Sequence, residues 1–337
     1  MKKQSFEKPR IESTVAGIFM LLSLLFLYIL ENGGLLSGVN SYALVMFIVE
    51  AVILCPILVF LIWDKKSFIS MMRFKQVKVR IVLLAILLEI CITPVLAVIN
   101  NITLLFTDNV AEQSLGGGLT ETPYILMILV MGLFPAVCEE ACMRGVFLGA
   151  FMRSGRKIAA IVISAACFGL MHGNANQFFY ATAMGIVSGI VVEATGSIIP
   201  SIVMHFFSNF VSITYLYFEH YTQVANDQVS TMLSELGKSD TAQAVNELSP
   251  ELAGKMMTTV EITSLIISVI LAVVGTLAAI RIIRKMAEIS ERTEQLRTLK
   301  VPEKNASRII NPVLAVAILV WIADIVLIEL AKHGIVI

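Results

Sequence analysis

Charge is what this chain has little of. Of its 337 residues, 15% are Asp, Glu, Lys or Arg, where a soluble domain carries roughly 25%. With 57% hydrophobic residues and a mean hydropathy of +0.85, an ordinary soluble domain is excluded and a polytopic membrane protein is indicated. Net charge is zero, and no basic stretch is interleaved with aromatics, so the electrostatic footprint of a nucleic-acid binder is missing. The five cysteines, Cys55, Cys91, Cys138, Cys142 and Cys167, are scattered through apolar segments without a C-x-x-C. That excludes a secreted disulfide framework and leaves buried free thiols. Repeats, coiled-coil heptads and low-complexity runs are absent as well.

What is present is a series of long apolar runs. A bilayer-spanning helix needs about 20 such residues, and nine candidates lie near 14–36, 41–63, 81–106, 123–152, 158–173, 177–194, 198–218, 259–283 and 309–331. The fifth and sixth are short enough to be tilted or partly re-entrant, so eight spans is the alternative count. The first run follows Lys2, Lys3, Lys8 and Arg10 like a signal-peptide core, but no small-residue cleavage site follows it, so it reads as a helix.

Lys and Arg set the orientation. Four lie at the N-terminus, six in the 64–80 loop, three at 153–157 and eight at 281–308, which is 21 of the 25 in the chain. With nine spans, all these segments fall on one side, read as cytoplasmic, together with the N-terminus. The opposite segments 31–40, 107–122 and 173–176 hold none. The expected fold is therefore an all-α polytopic transmembrane helix bundle. Residues 1–122 supply three helices and the basic loop 64–80, and 123–218 form a helical core. Residues 219–258 make a polar extracytoplasmic excursion. Residues 259–337 contain the last helices and a cytoplasmic linker at 284–308. The excursion holds six acidic residues against Lys238 and Lys255, and its helical spacing is broken by Gly237 and Pro250. It reads as an interfacial helical hairpin, with a lid over a site as the alternative. The linker mixes both signs and reads as a solvated helix.

Against this background, ionisable groups inside apolar runs are functional candidates, because each costs several kcal/mol near mid-bilayer unless paired. Glu50, Glu89, Glu193 and Asp324 stand singly near span ends or on one helix face and read as interfacial or hydrogen-bonded. Residues 134–148, FPAVCEEACMRGVFL, are different. Glu140 and Arg144 are four apart and share a helical face, where they can pair. Glu139 points about 100° away and is left to face something else.

Rise per residue places Glu139 about 21 Å from the basic end of its helix, His172 about 22 Å along the next, and His205 and Asn209 about 12 and 18 Å along a third. The four side chains can converge inside the bundle. A carboxylate enclosed in a low-dielectric cavity can activate water beside a histidine. A second histidine and an amide can stabilise an oxyanion. Spacing alone does not separate this reading from two others. An i,i+4 Glu–Arg pair and membrane-embedded His and Asn can be structural hydrogen-bonding glue, and the same groups can relay protons in a proton-coupled secondary transporter.

The pattern EEACMR at 139–144, FGLMH at 168–172 and HFFSN at 205–209 resembles the CPBP family of intramembrane proteases (CAAX prenyl endopeptidases, also called Abi). The TGSIIPSIVMH stretch at 195–205 is similar to that family's entry into its third motif. The resemblance covers about 123–218. It implies Glu139 as water-activating base with His172 as partner, His205 and Asn209 as oxyanion stabilisers, and Glu140, Arg144 and Phe168 as support. It implies hydrolysis of a membrane-associated peptide or protein in contact with lipid, either of CAAX type or in bacteriocin or signal-peptide maturation or immunity. The implied location is a bacterial plasma membrane, and no nucleic-acid partner is implied. No cofactor is favoured. A metalloprotease with zinc on Glu139, His172 and His205 is the alternative, although no H-E-x-x-H occurs. A cysteine mechanism is disfavoured because apolar surroundings suppress thiolate formation.

Overall fold

The computed structural model describes residues 8–32, 41–51, 72–108, 122–235 and 250–332. Cys55, Lys65, Lys66 and the 236–249 part of the polar excursion lie outside them. Among the described residues the backbone is helix and turn, with no strand. Seven helices are long and apolar enough to cross a membrane: α1 (Lys8–Asn32), α3 (Val79–Thr103), α4 (Tyr124–Met152), α6 (Ala175–Thr195), α7 (Ile199–Glu235), α8 (Pro250–Ile289) and α10 (Pro312–Lys332). The described residues also hold two shorter apolar helices, α2 (Tyr42–Ala51) and α5 (Lys157–Leu170), and the small α9 (Thr293–Arg297) between α8 and α10. The protein is an all-α, multi-pass integral membrane protein.

In lipid, close helix pairing depends on small residues that let backbones approach. At the α3–α8 crossing, a side chain at Gly275 would collide with the carbonyl oxygen of Cys91. Ile81, Ala85, Leu88 and Ile92 of α3 pack there against Ala279, Ile282 and Met286 of α8. The α5–α6 hairpin closes around Gly185, where an added Cβ would lie 2.9 Å from that of Ala165. The first and last spans pair through fully buried Trp321, whose indole N–H donates to the Met20 carbonyl at 2.9 Å.

Several elements depart from the sequence expectation. The fifth span stops at Leu170 rather than 173. Gly173 takes φ 69°, and the Asn174 side chain accepts from the Gln177 N–H at 2.8 Å to cap α6, so a tight turn replaces the last helical residues. In the other direction, α7 does not end near 218. It continues for 37 residues, about 56 Å, because no Gly or Pro interrupts residues 219–235. Both arms flanking the polar excursion are therefore continuations of membrane helices, with α8 starting at Pro250.

The linker is not a free solvated helix either. Leu299 and Ile309 are buried. The Glu303 N–H donates to the Gly155 carbonyl at 3.0 Å and Arg156 Nε to the Ser307 carbonyl at 3.1 Å, which ties the segment to the turn between α4 and α5. On the same side Glu193, the single carboxylate at the end of α6, is buried in an ion pair with Arg73. It also receives Arg292 Nε on its carbonyl at 2.8 Å.

Candidate active site

The helix that carries the two glutamates is not regular. Pro135 has no N–H to give the carbonyl one turn back, and residues Ile128–Leu133 immediately before it are wound as a wider π segment. A second π segment covers Ala141–Phe147. Between the two lies Phe134–Glu140, under two turns of α-helix, with Glu139 and Glu140 at its end. The sequence reading took this stretch as uniform α-helix. Such π segments inside α-helices are frequent at functional sites. The Asn209 amide leans on this distorted region, with Nδ2 3.5 Å from the Gly132 carbonyl.

Glu140 is fully buried and forms an ion pair with Arg144 at 2.9 Å. Arg144 in turn lies over the Phe168 ring at 4.4 Å, so the one guanidinium in this core has a carboxylate on one side and a π face on the other. Glu139 keeps 12% of its side chain exposed, against none for Glu140. That is the asymmetry expected of a working carboxylate beside a neutralised one.

His205 stands between the two. Its Nδ1 is 3.4 Å from Glu140 Oε1 and its Nε2 is 3.8 Å from Glu139 Oε2. The imidazole closest to Glu139 is therefore that of His205, where the family resemblance implies His172. His172 sits in the turn after α5, with Nδ1 2.9 Å from the Phe168 carbonyl. A carbonyl can only accept, so Nδ1 carries the hydrogen and the neutral ring presents Nε2 as its basic atom. Both imidazoles meet the Phe168 ring edge-on, His172 at 4.9 Å and His205 at 5.9 Å.

Glu139, Glu140, Arg144, Phe168, His172 and His205 thus form one contact network drawn from α4, the end of α5 and α7. Asn209 lies one turn beyond His205 on the same helix. Sequence reasoning passed over Ser201 and Ser208. Ser201 stands beside Glu140 and Ser208 beside Glu89, a fully buried carboxylate of α3. The signal was available, since Ser201, His205 and Ser208–Asn209 recur at helical spacing along one face of an apolar helix.

Among the described residues, no group of three His, Cys, Asp or Glu side chains is disposed to hold a metal ion. The alternative ligand set of Glu139, His172 and His205 is not gathered as such a group.

A glutamate, two histidines and an amide thus gather among the helices of a membrane protein. Residues 121–211 match the family model for the type II CAAX prenyl endopeptidase Rce1-like domain. The matched stretch contains all three motifs, and this part of the chain is similar to the Rce1-like domain of CAAX intramembrane proteases. No curated protein matches the chain, and no solved structure does.

Proposed function

We propose that the protein is an intramembrane endopeptidase that hydrolyses a peptide bond in a membrane-associated peptide or protein, of CAAX type or in peptide maturation or immunity, in a bacterial plasma membrane. The observation that carries this reading is the placement of partly exposed Glu139 at the Nε2 side of His205, next to the buried Glu140–Arg144 pair, inside an Rce1-like domain.

On this reading Glu139 takes a proton from water as the oxygen attacks the scissile carbonyl carbon. His205 Nε2 and the Asn209 amide donate to the oxygen that becomes negative. His172, with Nε2 as its basic atom, orients the water and shares its proton. Glu140, Arg144 and Phe168 hold these groups in register without touching substrate.

The test uses purified protein in liposomes with a quenched, membrane-anchored peptide library, with and without chelator. Chelator-resistant cleavage that is lost in Glu139→Ala supports the metal-independent glutamate mechanism. Cleavage abolished by chelator and restored by zinc overturns the mechanism while keeping the peptidase. The competing carrier reading draws on Glu50 and Glu89, which add two further enclosed carboxylates. It requires proton-coupled uptake by vesicles that Glu139→Gln abolishes, in protein that cuts nothing.

A further inference from the structure

Glu50 belongs to α2, outside the Rce1-like segment, and by sequence it reads as a lone interfacial carboxylate. The packing of α2 places it elsewhere. Tyr42, at the start of α2, packs against the cluster of Met127, Ile213 and Tyr217 near the start of α4. Phe47 stacks on Phe134, with ring centroids 4.6 Å apart and planes at 21°. The two helices therefore run side by side in the same direction. Glu50 is three residues past Phe47 and shares its face, which brings it level with Cys138 and Glu139, four and five residues past Phe134.

Two further observations agree. Among the described residues, Glu50 Oε2 is enclosed with no hydrogen-bond partner, and so is Glu139 Oε2. Glu50 also lies close enough to Glu139 to act on it electrostatically. It acts on Cys138 as well. Among the described residues, the charged and titratable groups around Glu139 are then Glu50 from α2, Cys138, Glu140, Cys142 and Arg144 from α4, Tyr180 from α6, and His205 from α7.

We propose that Glu50 is the second carboxyl of the site and the general acid that protonates the leaving nitrogen, a proposal that rests on the peptidase reading. Two carboxylates that face each other in an apolar enclosure cannot both ionise and hold one proton between them. Ionised Glu139 takes one proton from water while the water oxygen bonds to the carbonyl carbon. As the tetrahedral intermediate collapses, the carbon–nitrogen bond breaks and the neutral Glu50 carboxyl gives its proton to the nitrogen. Glu139 then passes the proton it gained to Glu50, which restores the pair. The other candidates are engaged: His172 Nδ1–H is held by the Phe168 carbonyl, Arg144 is paired with Glu140, the Tyr180 hydroxyl is hydrogen-bonded to Gln177, and His205 lies against Glu140 and serves the oxyanion on the peptidase reading.

The test compares two probes, a membrane-anchored peptide cut in the library assay and the same acyl segment as a p-nitrophenyl ester. The nitrophenolate departs without protonation, so only the peptide needs the acid. Glu50→Gln is expected to lower kcat on the peptide by about 10²- to 10⁴-fold and on the ester by less than about tenfold, with Glu50→Asp recovering part of the peptide rate. An equal loss on both probes makes Glu50 structural and overturns the proposal, as does an unchanged peptide rate. If Glu50→Gln does not accumulate as folded protein, the peptide-to-ester ratio of Glu50→Asp decides. A lowered ratio supports the displaced donor, and an unchanged ratio overturns it. Wild-type protein that cuts neither probe defeats the peptidase reading itself, and this proposal with it.

Discussion

Adjacent glutamates with opposite surroundings are the residue-scale feature from which the chemistry follows. Glu140 is committed to Arg144 and has no exposure, whereas Glu139 retains some. On the proposed peptidase mechanism, Glu139→Gln keeps shape and removes the proposed base, so kcat is expected to fall by about 10²- to 10⁴-fold with KM little changed. Single-turnover cleavage of the anchored peptide checks this. Arg144→Leu should behave differently. It strands the Glu140 charge in the core and is expected to cost about 3–5 kcal/mol of stability, read as a drop in melting temperature of the purified protein with activity lost in parallel. An Arg144→Leu protein that melts like wild type would show that the pair is not holding α4.

At the scale of the element, the distinctive feature is the winding of α4. Pro135 removes the backbone donor that an α-helix would give to the Met131 carbonyl, and the preceding turn is widened, next to the Gly132 carbonyl that Asn209 approaches. Pro135→Ala supplies the missing N–H. Regular α-helix is then expected to extend through this turn, with melting temperature held or raised and kcat reduced because Glu139 and Asn209 rotate apart. Retained kcat would mean that the π segment is incidental. The α5–α6 hairpin sets His172 by a different device, a Gly173–Asn174 turn. A span assigned by hydropathy alone overshoots it by three residues, because Met171 and His172 are not themselves helix breakers.

Across the whole molecule, the site depends on helices that are remote in sequence. α3 and α8 meet where Gly275 passes the Cys91 carbonyl, and α3 also carries Glu89 and packs against α7. Gly275→Val is expected to force the pair apart and lower both melting temperature and activity, measured on protein purified in detergent. At the basic end, Glu193 joins Arg73, within the basic loop, to Arg292, beyond α8. With Glu193 buried, this link is shielded from bulk salt better than a surface pair.

What the sequence by itself determined is the set of properties carried by local patterning. Apolar run length establishes membrane helices, the distribution of Lys and Arg argues an orientation, and i,i+4 spacing anticipates the Glu140–Arg144 pair that the structure contains. The residues of the three motifs were legible too, since charge inside an apolar run has few inconspicuous explanations. What only the tertiary structure decided is which of these groups touch. That His205 rather than His172 stands against Glu139, that Phe168 lies between both imidazoles and Arg144, and that Glu50 of α2 comes level with Glu139 all depend on the relative shift and rotation of separate helices. One-dimensional spacing carries no information on that shift. In a bilayer, where every helix presents similar apolar surface to lipid, it is set by small-residue crossings such as Gly275 and Gly185 and by backbone distortions such as the one at Pro135.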